Sequence, residues 1–528
     1  MSDHRNGGAA VVETLAAHGV DTVFGIPGTH NLEIYRHLPA AGIRAVTTRH
    51  EQGAGYAAEA YARVGAKPGV MVTTSGPALT NALTAAATAY AESQPLLVLS
   101  TGMPTGSEGR DLGQLHEIRN ASGAMAELIG GRSRRVRSAD EAADAVAEAF
   151  ADFRGRRPRP AHVEIPIDIL EQPWMGKVAV RPAVTAPPAD PEAVRRAAQV
   201  LSAAQRPMII AGGGAVDAQT PVTALAVALG APVATTVNGK GVVDESHPLS
   251  VGAAIRLRAL QQAAADSDAL LVIGSELGDS DLWGGAIRGR VVIRCDIDPG
   301  QLNKNCPADL VLLGDAGATA SALLAALSAG VVAGQGEERA AEVRAACRTE
   351  AMADAGPYAE INAALRAALP ADAILAGDSS QVTYFGSVHF FDVPAPRRFC
   401  YTPGFATLGY GLPAGLGAAL ARPGVPVAVL LGDGALMFSV QELVTAVEQC
   451  VALPVVVVDN GGYREIRDQE AARGIAPIGV DLRTPDLAAL AAAMGARGVR
   501  TTSAADLTAL VGEALGAAGP TVIHLDIR

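Results

Sequence analysis

The stretch VAVLLGDGALMFSVQELVTAVEQCVALPVVVVDNGG, residues 427–462, contains two apolar runs on either side of a helical pattern. The first run, Val427 to Leu431, stops at Gly-Asp-Gly, and the second, Leu453 to Val458, stops at Asp-Asn-Gly-Gly. Short apolar runs bounded by turn residues predict buried strands. With a helix over about 440–450 between them, the stretch predicts a strand–helix–strand unit of a parallel sheet.

Polar groups follow both predicted strands, at the sheet edge where α/β proteins bind ligands. Asp433 supplies a carboxylate, Asn460 an amide oxygen, and Gly462 a carbonyl in a turn that glycine makes easily. Three oxygen ligands suit Mg²⁺, which usually completes its shell with phosphates and water. Gly434 leaves room for a phosphate to approach backbone N–H groups. Each motif alone is typical of a plain turn, but their combined spacing favours a metal–diphosphate site.

The Gly-Asp-Gly motif followed at this spacing by Asn460 resembles the thiamine-diphosphate (ThDP) motif of the pyruvate decarboxylase and acetolactate synthase superfamily. The resemblance implies that Asp433, Asn460 and the Gly462 carbonyl bind Mg²⁺. Two positions depart from the family pattern. Asp459 stands where Asn is usual, and Ala435 stands where Ser is frequent, which implies one hydroxyl contact fewer to the diphosphate.

Composition argues against several other classes of protein. The 528 residues carry 42 Lys and Arg against 54 Asp and Glu, so the net charge of −12 makes nucleic acid an unexpected partner. Five scattered cysteines form no CxxC pair, which predicts a reducing, cytoplasmic location without zinc. The N-terminus shows no apolar signal segment, and no uncharged apolar run is long enough for a membrane span, so no membrane association is expected.

Alternating strand and helix patterns along the whole chain predict an α/β fold of three doubly wound parallel-sheet domains. The predicted domains are residues 1–175, 190–345 and 356–528. A Pro-rich linker joins the first two, and a helical connection is predicted over residues 316–355. The resemblance implies that the first domain binds the pyrimidine of ThDP and the third its diphosphate. Some family members bind FAD in the central domain, but the acetolactate synthase FAD segment is not visible in GSELGDSDLWGGAIRG, so FAD is disfavoured.

Glu51 is the first candidate for acid–base catalysis. It follows the predicted strand Arg44 to Thr48 and opens a helix, so a glutamate favoured by the helix dipole is the alternative interpretation. The segment RHEQGAGYAAEAYAR, residues 49–63, resembles the family segment with the catalytic glutamate. The resemblance implies that Glu51 hydrogen-bonds N1′ of the aminopyrimidine and so helps the cofactor to lose its C2 proton. An apolar pocket can keep such a carboxyl protonated near neutral pH.

Four further segments resemble cofactor-binding segments of the family: VFGIPGTHNLEIY, TTSGPALTNAL, AILAGDSSQVTYFG and TPGFATLGYG. Leu408 matches the bulky residue that props ThDP in its bent form. From the residues alone, Asn81 is equally a helix cap, and Leu408 a core residue. The resemblance gives as cofactor-binding residues Gly28, Pro77, Asn81, Ser379, Ser380, Gln381, Thr407, Leu408, Gly432, Gly434, Ala435 and Tyr463.

Proton relay and substrate binding are less specified by the sequence. Some family decarboxylases carry a histidine where this chain has Thr74. The replacement candidates are His30, His116 and Glu117. The expected substrate contacts are Thr29, Gln114 and Glu465. If the substrate is cationic, Glu117 and Glu465 are the expected acidic groups.

The resemblance implies ThDP-dependent, non-oxidative decarboxylation of a 2-oxo acid to an aldehyde. HGVDTVFGIPGTHNLEIYR, GRDLGQLHEIRN and IAPIGVDLRTPD look most like decarboxylases of 5-guanidino-2-oxopentanoate, a cationic 2-oxo acid. Two alternatives are a carboligase of the acetolactate synthase type and a non-catalytic ThDP-binding protein. In the family the cofactor lies between the first domain of one subunit and the third of another, which implies a homodimer at least and usually a tetramer.

Overall fold

The computed structural model of the protein describes residues 5–108, 110, 120–178, 180–182, 185–327 and 335–528. It contains three six-stranded sheets, and every paired strand runs parallel to its neighbours. Helices connect successive strands in each sheet. The predicted α/β class with three parallel-sheet domains is confirmed. In these described ranges, no helix is long and apolar enough to cross a membrane.

The first sheet has the strand order β2-β1-β3-β4-β6-β5. Its strands are β1 (Thr22–Gly25), β2 (Arg44–Thr47), β3 (Gly69–Val72), β4 (Leu96–Gly102), β5 (Ser133–Arg135) and β6 (Ala161–Pro166). Its helices are α1 (Gly7–Ala17), α2 (Leu32–His37), α3 (Glu51–Gly65), α4 (Pro77–Ala91), α5 (Ala121–Leu128), α6 (Ala139–Gly155) and α7 (Ile167–Glu171). Strands β1, β3 and β4 are buried along their whole length, as parallel strands covered on both faces should be.

The central sheet has the order β12-β11-β10-β7-β8-β9. Its strands are β7 (Pro207–Ala211), β8 (Val233–Thr235), β9 (Ser250–Ala253), β10 (Ala269–Ile273), β11 (Val292–Asp296) and β12 (Leu310–Leu313). Its helices are α8 (Pro191–Ala203), α9 (Gln219–Leu229), α10 (Arg258–Ala265), α11 (Asp279–Leu282) and α12 (Ala316–Ala326), followed by α13 (Gly336–Ala355). The predicted helical connection over 316–355 is interrupted, because Leu327 takes an extended backbone conformation.

The third sheet has the order β14-β13-β15-β16-β18-β17. Its strands are β13 (Ile374–Gly377), β14 (Phe399–Cys400), β15 (Val427–Gly432), β16 (Pro454–Asp459), β17 (Arg497–Thr501) and β18 (Thr521–Asp526). Its helices are α14 (Tyr358–Ala368), α15 (Val388–Phe390), α16 (Gly411–Ala421), α17 (Asp433–Leu436), α18 (Glu442–Glu448), α19 (Arg464–Ala472), α20 (Leu487–Ala493) and α21 (Leu507–Leu515). A π-helical turn, Val382–Ser387, leads into α15. The two strands predicted from the opening stretch, β15 and β16, lie side by side at the centre of this sheet.

Helix α3 of the first domain packs closely on α16 of the third domain in the same chain. A Cβ added to Gly417 would lie 2.0 Å from the Ala57 carbonyl oxygen, so the two backbones are in contact. Just before the first residue of α3, the Arg49 amide donates to the buried Glu442 carboxylate of the third domain at 3.1 Å. The start of α3, where Glu51 lies, is therefore fixed against the third domain.

Candidate active site

Asp433 follows β15 and begins α17 at the carboxyl edge of the third sheet. Its buried carboxylate accepts a hydrogen bond at Oδ2 from Thr484 Oγ1, at 3.0 Å. The other oxygen, Oδ1, has no hydrogen-bond partner among the described residues. Burial and the neighbouring Asp459 carboxylate raise the pKa of Asp433. A buried carboxylate oxygen without a donor is unfavourable, and a divalent cation would satisfy it.

Asn460 and Gly462 follow β16, the strand beside β15. Asn460 Nδ2 donates to Tyr358 Oη at 3.0 Å, which leaves the amide oxygen for a metal ion. Gly462 has a φ of +113°, and a Cβ there would lie 2.4 Å from the Val480 carbonyl oxygen, so only glycine fits. The Gly462 carbonyl oxygen lies 3.8 Å from the point where a Cβ of Gly434 would stand. It therefore faces the start of α17, close to Asp433.

The two departures from the expected motif have simple structural consequences. Asp459 Oδ2 lies 3.0 Å from Nε2 of the buried His524 on β18, and Oδ1 accepts the Gly461 amide at 3.1 Å. Asp459 does not line the cavity with Asn460, so its carboxylate leaves the predicted ligand set unchanged. Ala435 does line the cavity and offers a methyl group where a hydroxyl was expected from the family pattern.

Asp378, directly after β13, fixes the loop that carries Leu408. Its fully buried carboxylate accepts the amides of Ser379 at 2.9 Å, Gly409 at 3.2 Å and Gly411 at 2.7 Å. Burial raises the pKa of Asp378 to about 6. Because Gly409 and Gly411 closely follow Leu408, the carboxylate holds the loop with Leu408 at the strand end.

Ser379 and Ser380 form the turn at which the diphosphate is expected. The Ser379 hydroxyl is buried and has no hydrogen-bond partner in the described part of the chain, so it can donate to a phosphate oxygen. Ser380 Oγ accepts the Gly432 amide at 3.0 Å and joins this turn to the end of β15. A Cβ on Gly434 would lie 2.9 Å from the Tyr463 ring, so this side of the turn admits no side chain.

Thr407 and Leu408 are adjacent but face different neighbours. Thr407 Oγ1 is hydrogen-bonded to Tyr56 Oη on α3 at 2.7 Å, and Thr407 is not among the cavity residues. Leu408 lines the cavity. Of these two predicted cofactor contacts, only Leu408 lines the same cavity as Asp433, Asn460 and Gly462, the predicted metal ligands, which are called the metal loop below.

A chain of hydrogen bonds runs along the cavity wall from the metal loop to Glu465. Tyr358 Oη, which accepts from Asn460, donates to Gln381 Oε1 at 2.8 Å. Gln381 Nε2 donates to Glu465 Oε2 at 3.0 Å, and Tyr384 Oη donates to the same oxygen at 3.1 Å. Glu465, predicted to contact substrate, therefore lies on the cavity wall with its carboxylate already holding two side chains.

These residues surround a cavity of about 890 Å³ between the central and third domains. The predicted residues that line it are Ser379, Ser380, Gln381, Leu408, Gly432, Asp433, Gly434, Ala435, Asn460, Gly462, Tyr463 and Glu465. The central domain adds residues that the sequence did not single out, among them Asp281 and Trp283. Among the residues that the structure describes, no first-domain residue lines this cavity.

Glu51 is the first residue of α3 and is only 9% exposed. Asn81 Nδ2 donates to Glu51 Oε2 at 2.9 Å. Helix α4 begins at Pro77 after Gly76, so Asn81 lies inside the helix, and the alternative of a helix cap is wrong. Asn81 instead positions the Glu51 carboxylate, and neither residue lines the cavity of the metal loop in the same chain.

The other first-domain candidates lie on neighbouring loops. His30 Nδ1 is hydrogen-bonded to Ser75 Oγ. A Cβ on Gly28 would lie 3.1 Å from the Thr74 side chain, so the two loops touch. Thr29 is exposed. Gln114, His116 and Glu117 lie outside the described residues.

Comparison with known proteins shows three consecutive family matches. The N-terminal thiamine pyrophosphate (TPP) binding domain of TPP enzymes matches residues 5–124, the central domain 194–323, and the C-terminal TPP-binding domain 378–525. The chain belongs to the thiamine pyrophosphate enzyme family. Thiamine pyrophosphate is ThDP, so the predicted family is confirmed, and both cofactor-binding domains are present in one chain.

The relatives of this TPP enzyme include a probable decarboxylase and acetolactate synthases. It is 42% identical over 98% of its length to the probable 2-ketoarginine decarboxylase AruI of Pseudomonas aeruginosa, covering 93% of that protein. It is 32% identical over 99% of its length to the acetolactate synthase isozyme 2 large subunit of Escherichia coli, covering 95% of it. A probable acetolactate synthase large subunit of Methanocaldococcus jannaschii is 32% identical over 86% of this chain and 80% of the relative.

The residues of this TPP enzyme fit a metal-bound diphosphate. The unused Asp433 Oδ1 and the unpartnered Ser379 hydroxyl are an acceptor and a donor placed beside the same turn. Sequence patterns did not identify Thr484, which holds Asp433, or Tyr358, which holds Asn460. Both come from segments far along the chain, and neither belongs to a recognisable motif.

Proposed function

We propose that this TPP enzyme catalyses the non-oxidative decarboxylation of a 2-oxo acid to an aldehyde, with 5-guanidino-2-oxopentanoate as its first candidate substrate. The observation that carries the proposal is the similarity, along nearly the whole chain, to a probable 2-ketoarginine decarboxylase. A buried Asp433 carboxylate oxygen without a hydrogen-bond partner among the described residues, and the buried Glu51 on the first domain, support the same chemistry.

The third domain would bind the cofactor. Asp433, Asn460 and the Gly462 carbonyl would hold Mg²⁺, and the Ser379 hydroxyl would donate to the diphosphate. Without a cation, the buried Asp433 carboxylate would repel the diphosphate, so the metal and the phosphates are expected to bind together. Leu408 would support the cofactor from the loop that Asp378 fixes.

The first domain would supply the acid–base group. Glu51, held by Asn81, would share a proton with a ring nitrogen of the pyrimidine. Its burial removes competing water, which strengthens that hydrogen bond. When bound, ThDP supplies the electron sink for the charge left behind as carbon dioxide departs.

A complete site would need two copies of the chain. Glu51 and the metal loop do not line a common cavity within one chain. Phe405, Met437 and Phe438, close to Leu408 and Ala435 in the sequence, are 48%, 47% and 48% exposed. Exposed apolar side chains beside a binding site are typical of interaction surfaces. We therefore propose a homodimer as the minimal active unit, in which the first domain of a second copy covers the cavity.

A carboligase is the second candidate function, because the relatives include acetolactate synthases that match almost the full chain. In this alternative the decarboxylated acid is joined to a second carbonyl compound instead of being protonated. FAD would be a further expectation under this alternative, since some acetolactate synthases of the superfamily bind it.

The test is carbon dioxide release from a panel of 2-oxo acids, with ThDP and Mg²⁺ added and products identified by mass spectrometry. The panel contains 5-guanidino-2-oxopentanoate, pyruvate, benzoylformate and branched-chain 2-oxo acids, with Glu51→Gln as the control. We expect the guanidino acid to give its aldehyde and the variant to be inactive. A longer hydroxyketone from pyruvate would favour the carboligase. Bound cofactor without turnover of any acid would contradict both and leave a binding role.

A further inference from the structure

The part of the cavity wall that comes from the central domain carries two carboxylates in α11. Asp279 Oδ1 accepts the Gly284 amide at 3.0 Å. Asp281 differs, because its Oδ1 is withdrawn from solvent and has no hydrogen-bond partner in the described ranges. Both residues line the same cavity as Asp433. Asp281 therefore carries, in the wall of the site, a buried carboxylate oxygen that no described residue bonds.

The surroundings of Asp281 disfavour a negative charge on its carboxyl group. Burial, together with the nearby Glu92 and Glu276 carboxylates, raises the pKa of Asp281 to about 7. Glu276 is itself compensated by Arg157 and Lys304, each at 3.2 Å. No such partner is found for Asp281 Oδ1 among the residues with described positions. A cationic ligand would both donate to this oxygen and hold the carboxyl ionised.

An aromatic surface lies beside Asp281. Trp283 makes edge contacts with Tyr384 and Phe385, at centroid distances of 5.9 and 5.7 Å, and is itself 49% exposed. The Arg256 guanidinium stands 4.8 Å from the Trp283 centroid, and its charge is matched by Asp354 at 2.9 Å. The wall thus already holds one guanidinium over an aromatic ring, within the distance at which a cation is attracted to the ring face.

Glu465 is less suited to receive a cation. Its Oε2 accepts from Gln381 and Tyr384, and its Oε1 accepts from Gln469 at 2.9 Å. We infer that Asp281 binds the cationic end of the substrate and thereby selects 2-oxo acids with a positively charged side chain. This inference rests on the proposed function, and it assigns to the central domain the recognition of the substrate end that does not react.

The test measures binding rather than turnover. Holoenzyme of the Glu51→Gln variant, with ThDP and Mg²⁺, is titrated calorimetrically with 5-guanidino-2-oxopentanoate and with 5-ureido-2-oxopentanoate, a neutral analogue of nearly the same shape. We expect the guanidino acid to bind at least about tenfold more tightly, which is the usual value of a charged hydrogen bond. Adding Asp281→Asn should reduce this preference to less than about threefold.

Two further variants separate charge at this position from general effects. Asp266→Asn removes a carboxylate from an exposed position of the same domain, where it accepts a hydrogen bond from Gln262, and should leave the preference unchanged. Asp281→Glu should retain a preference for the guanidino acid, because it keeps the charge.

The outcomes distinguish this inference from the proposed reaction. A preference that survives in Asp281→Asn, or no preference in the parent protein, would overturn the role of Asp281. Preferential binding of the guanidino acid without carbon dioxide release by the wild-type enzyme would contradict the proposed reaction and leave the cation site standing.

Discussion

The first and third sheets have the same topology but very different carboxyl edges. Numbered within its own domain, each sheet has the strand order 2-1-3-4-6-5. At the third edge, Asp433 Oδ1 and the Ser379 hydroxyl have no partner among the described residues, and both residues line a large cavity. At the first edge, Glu51 is bonded to Asn81, and His30 to Ser75. Topology therefore sets where loops meet, and the residues on those loops decide the chemistry.

The difference suggests a division of labour between the two edges. The third edge has carboxylate, amide and carbonyl oxygens that could bind a metal ion, and glycines that would let phosphates approach the backbone. The first edge presents one carboxyl held by a neighbouring amide, which suits proton transfer. If this division is correct, variants at the two edges should fail in different ways.

The largest effect is expected for Glu51→Gln. Removing a general acid–base group commonly lowers turnover about 10²–10⁴-fold. The ThDP dissociation constant should change less than about threefold, because Gln keeps the size and can still contact Asn81. Steady-state kinetics and calorimetry on the same preparation give both values. If the Glu51→Gln variant bound no ThDP, the first edge would also be needed for cofactor binding, and the proposed division of labour would be wrong.

Asp433→Asn should give the opposite pattern. Losing the charged ligand is expected to raise the dissociation constant for ThDP and Mg²⁺ about 100-fold. At saturating cofactor, turnover should recover to within about tenfold of wild type, since the Glu51 side is untouched. Turnover that stays absent at saturation would show that Asp433 acts in the reaction as well as in binding.

The two sheets should also respond to pH in opposite directions. In the first sheet, His162 is buried between Ser100 and Ser133, each at 2.7 Å, and burial lowers its pKa to about 3. In the unfolded chain His162 has its ordinary pKa near 6.5 and binds a proton below that pH, whereas in the folded chain it does not. The free energy of unfolding therefore falls as the pH drops below about 6.5. The loss is about 2 kcal/mol at pH 5. Urea titrations should show that the free energy of unfolding of wild type exceeds that of His162→Gln by less at pH 5 than at pH 7.

Asp378 in the third sheet provides the matched comparison. Its pKa of about 6 lies above the ordinary value for Asp, so its contribution to stability is lost as pH rises from about 4 through 6. In the same titrations, the advantage of wild type over Asp378→Asn should shrink as pH rises. If the difference in free energy of unfolding between wild type and variant changed with pH in the same direction for both variants, the opposite effects expected for His162 and Asp378 would be contradicted.

The smallest effect is expected for Thr484→Val, which removes the donor to Asp433 Oδ2. Loss of a hydrogen bond to a metal ligand should weaken cofactor binding about tenfold, with turnover at saturation unchanged. Thr402→Val is the control for loss of a threonine hydroxyl in this domain, because the buried Thr402 hydroxyl has no partner among the described residues. Equal effects of both variants would indicate general damage rather than a role at the metal loop.

Local patterns were sufficient to predict most of the elements and the polar residues that follow β15 and β16. β15 and β16 are apolar runs that end at turn residues, and Asp433 and Asn460 follow them directly. The interruption after Ala326 was missed, because a run rich in alanine and charged residues gives little local sign of a break. Asp281 was missed for a similar reason, since an acidic residue in a Gly- and Ser-containing turn is typical of solvent-exposed loops.

By itself, the sequence determined the class of fold, the family and the residue types at each strand end, because strand and turn preferences depend on neighbours along the chain. Only the tertiary structure decided which of those residues share a cavity. It placed Thr484 and Tyr358 beside the metal loop and Asp281 in the wall of the same cavity, and it kept Glu51 out of that cavity within one chain. Burial and the presence or absence of a partner depend on contacts between distant segments, and those contacts exist only after the three sheets have packed together.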